Sequence, residues 1–264
     1  MNQDQRWKNL RDDHELYCAG HIMEAAVAHH ALTGEDSLLK TACRMADYID
    51  SVFGLEEGKI PGYCGHEEIE LALVRLYEAT NEPRYLKLAA YFVNQRGQKP
   101  LYFDIEAKAR GDKTKYTPMK LHAHEPARQQ REVVGHAVRA MYFYSGMTDV
   151  AAHTQDEGLF EACDALWENF EQRKCYVTGG GGSSWFDEKF TFDFDLPNER
   201  AYCETCASVA LIMWAQRMSR LGADARYAEI LERSLYNAAI AGMSLDGEKF
   251  FYQNPLASHG GHRR

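Results

Sequence analysis

Residues 176–206 hold the densest group of side chains that could do chemistry. Five carboxylates are interleaved there with five aromatic side chains. They are Asp187, Glu188, Asp193, Asp195 and Glu199 among Trp185, Phe186, Phe190, Phe192 and Phe194. Apolar surroundings raise the pKa of a carboxyl group, and such an acid can protonate a glycosidic oxygen. The same alternation also predicts a twisted strand with Phe inward and Asp outward, and spacing alone favours that structural interpretation.

The end of this segment, Cys203-Glu204-Thr205-Cys206, is open to three interpretations. It could be a redox pair, although no βαβ pattern surrounds it. It could supply zinc ligands through its thiolates and Glu204, or it could simply begin a buried helix. Residues two apart on a regular helix point roughly 200° apart, so Glu204 and Cys206 share an ion only where the backbone is not yet helical. Just upstream, the glycines at 179–182 predict a turn or close approach to a ligand. No Gly-Lys-Ser/Thr follows them to make a phosphate loop.

Three histidines form a second candidate group, because each stands at or near a predicted helix start. They are His14, His66 and His136. A single histidine is usually a hydrogen-bonded packing residue, but three at equivalent ends of successive repeats are harder to explain that way. Neutral imidazoles that converge at the mouth of a ring could hydrogen-bond sugar hydroxyls.

The elements that must position these groups are helical hairpins, repeated along the chain. Apolar residues at helical spacing predict four pairs. The pairs span residues 16–32 and 37–52, 71–77 and 83–94, 131–144 and 159–170, and 207–221 and 225–239. Hairpins bury their apolar faces only by packing side by side, as a solenoid or a closed double ring. Long connecting segments at 54–67, 97–130 and 175–203 favour a ring with a carbohydrate cleft built from those loops.

Composition excludes several classes of protein. The chain has 264 residues, of which 45% are hydrophobic, and a formal charge of −9. Disorder and a general attraction to nucleic acid or anionic membranes are therefore not expected. No apolar run approaches the ~20 residues that span a bilayer, and the start of the chain is unlike a secretory leader. Seven scattered cysteines indicate reduced thiols, so we expect a cytoplasmic protein.

With these residues in place, the sequence resembles glycoside hydrolase family 127, the β-L-arabinofuranosidases. Five blocks carry the resemblance, in the family's order and over nearly the whole chain. They are HELYCAGHIMEAAVAHH, GYCGHEEIELALVRLY, REVVGHAVRAMYFYSGMTDVA, DLPNERAYCETCASVAL and FFYQNPL. The resemblance implies an all-α fold, an (α/α)₆ barrel with short β segments in its loops, followed by β-sandwich domains.

The resemblance also implies a retaining mechanism, in which a zinc-bound cysteine is the nucleophile and a glutamate is the acid/base. Glu188 takes the acid/base position, and Glu204 and Cys206 take two zinc-ligand positions. Sugar-contacting positions fall on His14, His66, His136 and Tyr252, with His14 preferred over His21 because it opens its block. The implied substrate is a small L-arabinofuranoside, and the implied cofactor is Zn²⁺.

The sequence departs from the family pattern at both ends. The pattern places a Cys-Cys pair after the FFYQNPL block, whereas the last cysteine here is Cys206, and the family's first barrel segment does not precede HELY. Four hairpins are also two short of six. We therefore expect residues 1–264 to form a partial barrel domain that is weak or inactive in hydrolysis by itself. A homodimer is the first oligomer to look for, since an open ring exposes apolar flanks. The alternative is a non-catalytic helical-repeat protein, either a sugar-binding remnant or an interaction scaffold.

Overall fold

The computed structural model describes residues 5–257 and residue 260, and most of them are helical. The ends of the predicted domain, 1–264, lie outside that part. Nine α-helices occur among the described residues. They are α1 (Glu15–Thr33), α2 (Ser37–Val52), α3 (Ile69–Thr80), α4 (Pro83–Gln95), α5 (Tyr102–Arg110), α6 (Ala137–Thr154), α7 (Glu157–Asn169), α8 (Thr205–Leu221) and α9 (Ala225–Ser234).

The helices form two layers. In the inner layer, α1 packs against α3, α3 against α6, and α6 against α8, while α2, α4, α7 and α9 each fold back on the inner helix before them. This arrangement confirms the four predicted hairpins and fits an incomplete (α/α) barrel. The first helix of the third pair begins at Ala137, later than the predicted start at residue 131. Helix α5 was not predicted, because it lies inside the segment 97–130 that we expected to be a loop.

Burial distinguishes the two layers. Helix α6 is apolar around most of its circumference and is almost wholly buried, since it packs against α3, α4, α7 and α8.

Small residues let the inner helices approach closely. A Cβ atom on Gly20 of α1 would lie 2.7 Å from Glu68 Cγ, and one on Gly146 of α6 would lie 2.7 Å from Glu70 Cβ. The inner layer therefore depends on glycine at two of its contacts.

Short turns join the helices of each pair. Gly34, Asn81 and Gln155 end α1, α3 and α6 in the left-handed conformation. Pro83 occupies the first turn of α4, and the Glu82 side chain accepts the Arg84 N–H at that end. These turns place the start of every inner helix at the same end of the barrel.

The long connecting segments contain no extended sheet among the described residues, only isolated β-bridges. The strand interpretation of the alternating Phe and Asp residues is therefore wrong: Phe192 and Phe194 are exposed, and Asp193 pairs with Arg173 and Lys174. The glycine run makes a turn, with φ of 81° at Gly179 and 89° at Gly182. No helix in the described ranges is long and apolar enough to cross a bilayer.

Candidate active site

Glu188 stands on a 3₁₀ turn, Phe186–Glu188, within the loop that connects α7 to α8. Asp187 and Glu188 adopt φ angles of 59° and 51°, which are uncommon for residues with side chains. The next residue, Lys189, forms antiparallel bridges to Ser184 and to His136, the residue that precedes α6. The loop thereby fixes the Glu188 carboxylate against the start of an inner helix.

Two side chains hydrogen-bond this carboxylate. His136 Nε2 lies 2.7 Å from Glu188 Oε2, and the Tyr202 hydroxyl donates to Oε1 at 2.8 Å. The hydrogen bond from His136, supported by the one from Tyr202, lowers the pKa of Glu188 to about 2. The expectation of apolar surroundings that raise this pKa is therefore wrong for Glu188, whose partners stabilise the ionised form instead.

The three predicted histidines converge, as their positions at helix starts indicated. His14 precedes α1, His66 lies just before α3, and His136 precedes α6. The ring centroids of His14 and His66 are 5.6 Å apart, and those of His66 and His136 are 5.7 Å apart. The rings and Glu188 thus form a continuous line across the ends of three inner helices.

His66, at the centre of that line, is neutral. Burial, assisted by the positive charge of Arg139, lowers its pKa to about 2. Its Nδ1 lies 3.1 Å from the Glu67 carbonyl oxygen, so that nitrogen carries the proton. The Nε2 atom of a neutral imidazole in this tautomer accepts a hydrogen bond, which suits it to a sugar hydroxyl.

The fourth inner helix contributes Glu204 and Cys206. Glu204 has φ −58° and ψ 137°, and α8 begins only at Thr205, so the backbone at Glu204 is extended. This is the irregular entry that a shared ion requires. The Cys206 thiol and the Tyr252 hydroxyl both hydrogen-bond the Glu204 carboxylate, and burial together with that contact raises the pKa of Cys206 to about 12.

The side chains of Glu204 and Cys206 offer donor atoms of types that bind zinc. Glu204 Oε2 is buried and has no hydrogen-bond partner among the described residues, and a thiol lies beside the same carboxylate. Carboxylate oxygen and thiolate sulfur are both ordinary zinc ligands. Within residues 5–257 and 260, no group of three or more candidate ligand side chains could hold a metal ion. Glu204 and Cys206 would supply two of the four donors that a tetrahedral ion needs.

Comparison with known proteins assigns this arrangement to a family. The family model for the β-L-arabinofuranosidase GH127 catalytic domain matches residues 1–264. The chain belongs to glycoside hydrolase family 127. A curated non-reducing end β-L-arabinofuranosidase from Bifidobacterium longum subsp. longum is 46% identical over 257 residues, which are 95% of this chain and 39% of that protein.

Solved structures agree with the assignment. A GH127 β-L-arabinofuranosidase from Geobacillus stearothermophilus T6 superposes with a TM-score of 0.95 at 56% identity, covering 96% of this chain and 41% of that one. A second GH127 β-arabinofuranosidase gives a TM-score of 0.88 at 41% identity, covering 98% and 39%. The GH127 chain described here therefore spans about two fifths of the length of these relatives.

Some residues of this GH127 site were not predicted. Tyr202 hydrogen-bonds Glu188, and its ring centroid lies 6.3 Å from that of Tyr252. Tyr202 stands two residues before Glu204 in the DLPNERAYCETCASVAL segment, but its spacing in the sequence does not indicate that its hydroxyl reaches Glu188. His21 lies on the same helix as Tyr17 and contacts it, with ring centroids 4.4 Å apart, whereas His14 contacts His66 directly. This geometry is compatible with the preference for His14.

Cys203 takes no part in the GH127 site. It is buried, its backbone N–H donates to the Gly182 carbonyl, and its sulfur packs near Gly180. Every cysteine among the described residues is a free thiol, including Cys203 and Cys206. The Cys-x-x-Cys spacing therefore combines a packing residue with a residue of the candidate site, which argues against a redox pair.

Proposed function

We propose that this chain contributes the acid/base, part of a zinc site and part of the sugar pocket to a retaining β-L-arabinofuranosidase. The observation that carries the proposal is the continuous line from His14 to Glu188, closed by Tyr202, Tyr252 and Glu204. It combines imidazoles and hydroxyls that can hydrogen-bond a sugar with two carboxylates, of which Glu188 would be the acid/base. Family membership supports the same reaction class.

Glu188 would protonate the glycosidic oxygen as the aglycone leaves, while the glycosyl group would pass to the nucleophilic cysteine that the family pattern places after the FFYQNPL block. Glu188 would then remove a proton from the water that hydrolyses that bond. His136 and Tyr202 orient the carboxylate for both steps. With a pKa near 2, Glu188 is ionised at neutral pH and cannot donate a proton in this arrangement. We therefore propose that the chain by itself hydrolyses arabinofuranosides weakly, because Glu188 is held ionised and no residue proposed for this site is the nucleophile.

Glu204 and Cys206 would hold Zn²⁺ in this proposal. The buried, unpartnered Oε2 of Glu204 supports it, because an isolated buried carboxylate oxygen is costly without a partner. Bound zinc would keep thiol ligands ionised near neutral pH. Two protein ligands plus water hold zinc less tightly than a closed set of four.

Hydrolysis tests the reaction. Purified chain should release the aglycone from a chromogenic β-L-arabinofuranoside only slowly, and Glu188→Gln should abolish that release. Glu161→Gln, at an exposed carboxylate of α7, is the matched control and should change nothing. Rapid turnover would contradict weak activity, and unchanged turnover in Glu188→Gln would exclude its acid/base role.

Zinc binding is measured separately, by competition with a chromophoric chelator. Glu204→Gln and Cys206→Ser should each weaken zinc binding at least ~10-fold, because loss of a residue that merely supports a ligand already has an effect of that order. Cys43→Ser, a partly exposed thiol on α2, should leave affinity unchanged. Equal affinity in all four proteins would eliminate the zinc site from the proposal.

The non-catalytic alternative makes a different prediction from the same line of histidines. A sugar-binding remnant would show L-arabinose binding that His66→Leu removes, with no release of aglycone at any zinc concentration. An interaction scaffold would show neither binding nor turnover. Measuring binding and hydrolysis on one preparation therefore separates the three functions.

A further inference from the structure

A cavity of about 470 Å³ lies beside the turn that carries Glu188. Its walls come from residues 11–12, residues 114–121, Arg139 of α6 and residues 186–189. Asp187 and Lys189, which flank Glu188 in the chain, both line it. Arg139 stands one helical turn after His136, on the same face of α6. The cavity thus adjoins the candidate site on two sides.

The cavity is basic in an acidic protein. Five cationic side chains and two carboxylates line it, whereas the whole chain carries a formal charge of −9. The cations are Arg11, Lys115, Lys120, Arg139 and Lys189, and the carboxylates are Asp12 and Asp187. Concentration of one charge in a concave surface strengthens the local field, which favours a ligand of opposite sign.

Two of the cations are already neutralised. Arg11 pairs with Asp12 at 2.8 Å and with Asp112 at 2.6 Å, and Lys120 pairs with Asp187 at 2.6 Å. Among the described residues, no carboxylate lies within ion-pair distance of Lys115, Arg139 or Lys189. Three positive charges therefore remain without a counter-ion on the walls of one cavity.

Arg139 is the most constrained of the three. One guanidinium nitrogen donates to the Gly65 carbonyl at 2.8 Å, while its buried Nε has no hydrogen-bond partner among the described residues. Burial lowers its pKa. Glu67 and Glu188 partly offset that effect, but neither lies within ion-pair distance, so an anion in the cavity would lower the energy of this partly buried cation.

We propose that this cavity binds an oxyanion carried by the leaving group of the substrate, either the carboxylate of a uronic acid or a sulfate ester. This inference rests on the proposed function, because the acid/base residue must contact the oxygen of the leaving group. A volume of about 470 Å³ accommodates one sugar unit. A guanidinium such as that of Arg139 is suited to two parallel hydrogen bonds to an oxyanion, and the lysines add positive charge with less demand on direction.

Binding of single sugars tests the inference without turnover. The probes are D-galactose, D-galacturonate and D-galactose 6-sulfate, titrated into the full chain by calorimetry at low ionic strength. At least one charged probe should bind ~10-fold more tightly than galactose, and its affinity should fall as salt is added. Whichever charged probe binds more tightly identifies the source of the oxyanion.

Variants locate the binding site. Lys115→Ala and Lys189→Ala should each weaken binding of the charged probe at least ~3-fold and leave the binding of galactose unchanged. Lys40→Ala, at an exposed lysine of α2, is the charge-matched control and should have no effect. Equal binding of all three sugars, no binding at all, or the same loss in Lys40→Ala would overturn the inference.

These outcomes are independent of catalysis. A chain that binds galacturonate through Lys189 but never hydrolyses a neutral arabinofuranoside contradicts the proposed function alone. Conversely, a chain that hydrolyses the neutral substrate but does not prefer charged sugars contradicts the anion cavity alone.

Discussion

Glu67 and Glu68 are adjacent in the chain and equally excluded from solvent, yet their surroundings differ completely. Glu67 Oε1 lies 3.0 Å from Arg96 and 2.9 Å from His122 Nδ1. Arg96 is itself fully buried, pairs with Glu70 at 3.0 Å and donates to the carbonyls of Leu121 and Cys64. The outer side of this loop therefore contains an extended network of paired charges.

On the inner side, neither carboxylate oxygen of Glu68 has a hydrogen-bond partner among the described residues. His21 Nδ1 lies 3.3 Å from Oε1, but without the geometry of a hydrogen bond. Burial, with a further contribution from Glu24, raises the pKa of Glu68 to about 9. Glu68 is therefore protonated at neutral pH.

The comparison teaches that burial alone does not decide the charge state of a carboxyl group. Basic partners can offset the cost of desolvating a carboxylate, whereas a group that lacks them binds a proton. The paired side also has a structural role, because His122 Nε2 donates to the Val134 carbonyl at 3.0 Å, just before His136. The Glu67 network thereby links the loop of His66 to the entry of α6.

The change with the largest expected effect removes the buried cation from the network around Glu67. Arg96→Met removes the guanidinium that Glu67 and Glu70 share in the interior, so we expect a loss of about 3–5 kcal/mol in unfolding free energy by urea denaturation. Arg84→Ala removes an exposed pair instead and should cost less than about 1 kcal/mol. A loss below 1 kcal/mol in Arg96→Met would show that the network contributes little.

A second change acts on the unpaired side and should stabilise the protein. Above pH 4.5 the unfolded chain ionises Glu68, while the folded chain keeps it protonated up to about pH 9. Stability is therefore lost as pH rises across that window. Glu68→Gln should remove this loss, with a gain of about 3 kcal/mol at pH 7 and none at pH 4.

Urea denaturation at several pH values measures that gain. Glu57→Gln, at an exposed carboxyl group in the α2–α3 connection, should reproduce the wild-type profile. If Glu68→Gln also follows the wild-type profile, Glu68 is ionised in the folded protein and the contrast with Glu67 disappears.

A smaller effect concerns the space around Glu68. The added Cβ in Gly20→Ala would lie 2.7 Å from Glu68 Cγ and 3.1 Å from Ile69 N, so α1 and α3 must separate slightly. We expect a cost of about 1–2 kcal/mol, measured by urea denaturation. Gly222→Ala meets no heavy atom within 4 Å and should change stability by less than about 0.5 kcal/mol. Equal effects would mean that the α1–α3 contact is loose.

The smallest expected effect on stability concerns Glu188. Its hydrogen-bond partners lower its pKa, whereas the surroundings of Glu68 raise the pKa of that group. His136→Leu removes the main cause of its low pKa, which should rise from about 2 toward 4.5 in a carbon-detected NMR titration. Tyr202→Phe should produce a smaller rise. The stability that this pairing contributes is present above pH 4.5 and is lost as pH falls through about 2. An unchanged pKa in both variants would contradict the assigned hydrogen bonds.

Much of the fold could be predicted from local pattern. The four hairpins and the turns at Gly34, Asn81 and Pro83 follow from apolar spacing and turn chemistry, which act over a few residues. Helix α5 escaped prediction because it is short and depends on distant partners. Its Glu106 accepts the backbone N–H of Leu10 at 2.6 Å, a contact that no local pattern indicates.

The candidate site divides in the same way. The convergence of the three histidines could be predicted from their positions at the starts of successive inner helices, because a ring of hairpins brings those ends together. The family resemblance singled out Glu188, Glu204, Cys206 and Tyr252. Neither Tyr202 nor the basic cavity could be found, since each is assembled from segments far apart in the chain.

The sequence by itself determined which segments are helical and which helix ends carry histidine, glutamate and cysteine. Only the tertiary structure decided the charge on those groups. The pKa of a carboxyl group depends on its desolvation and on charges within a few ångströms, and those neighbours come from other helices. Glu188 is ionised because His136, at the start of α6, hydrogen-bonds its carboxylate. Glu68 stays protonated because the packing of α1 against α3 excludes water from its carboxyl group, and no described cation hydrogen-bonds it.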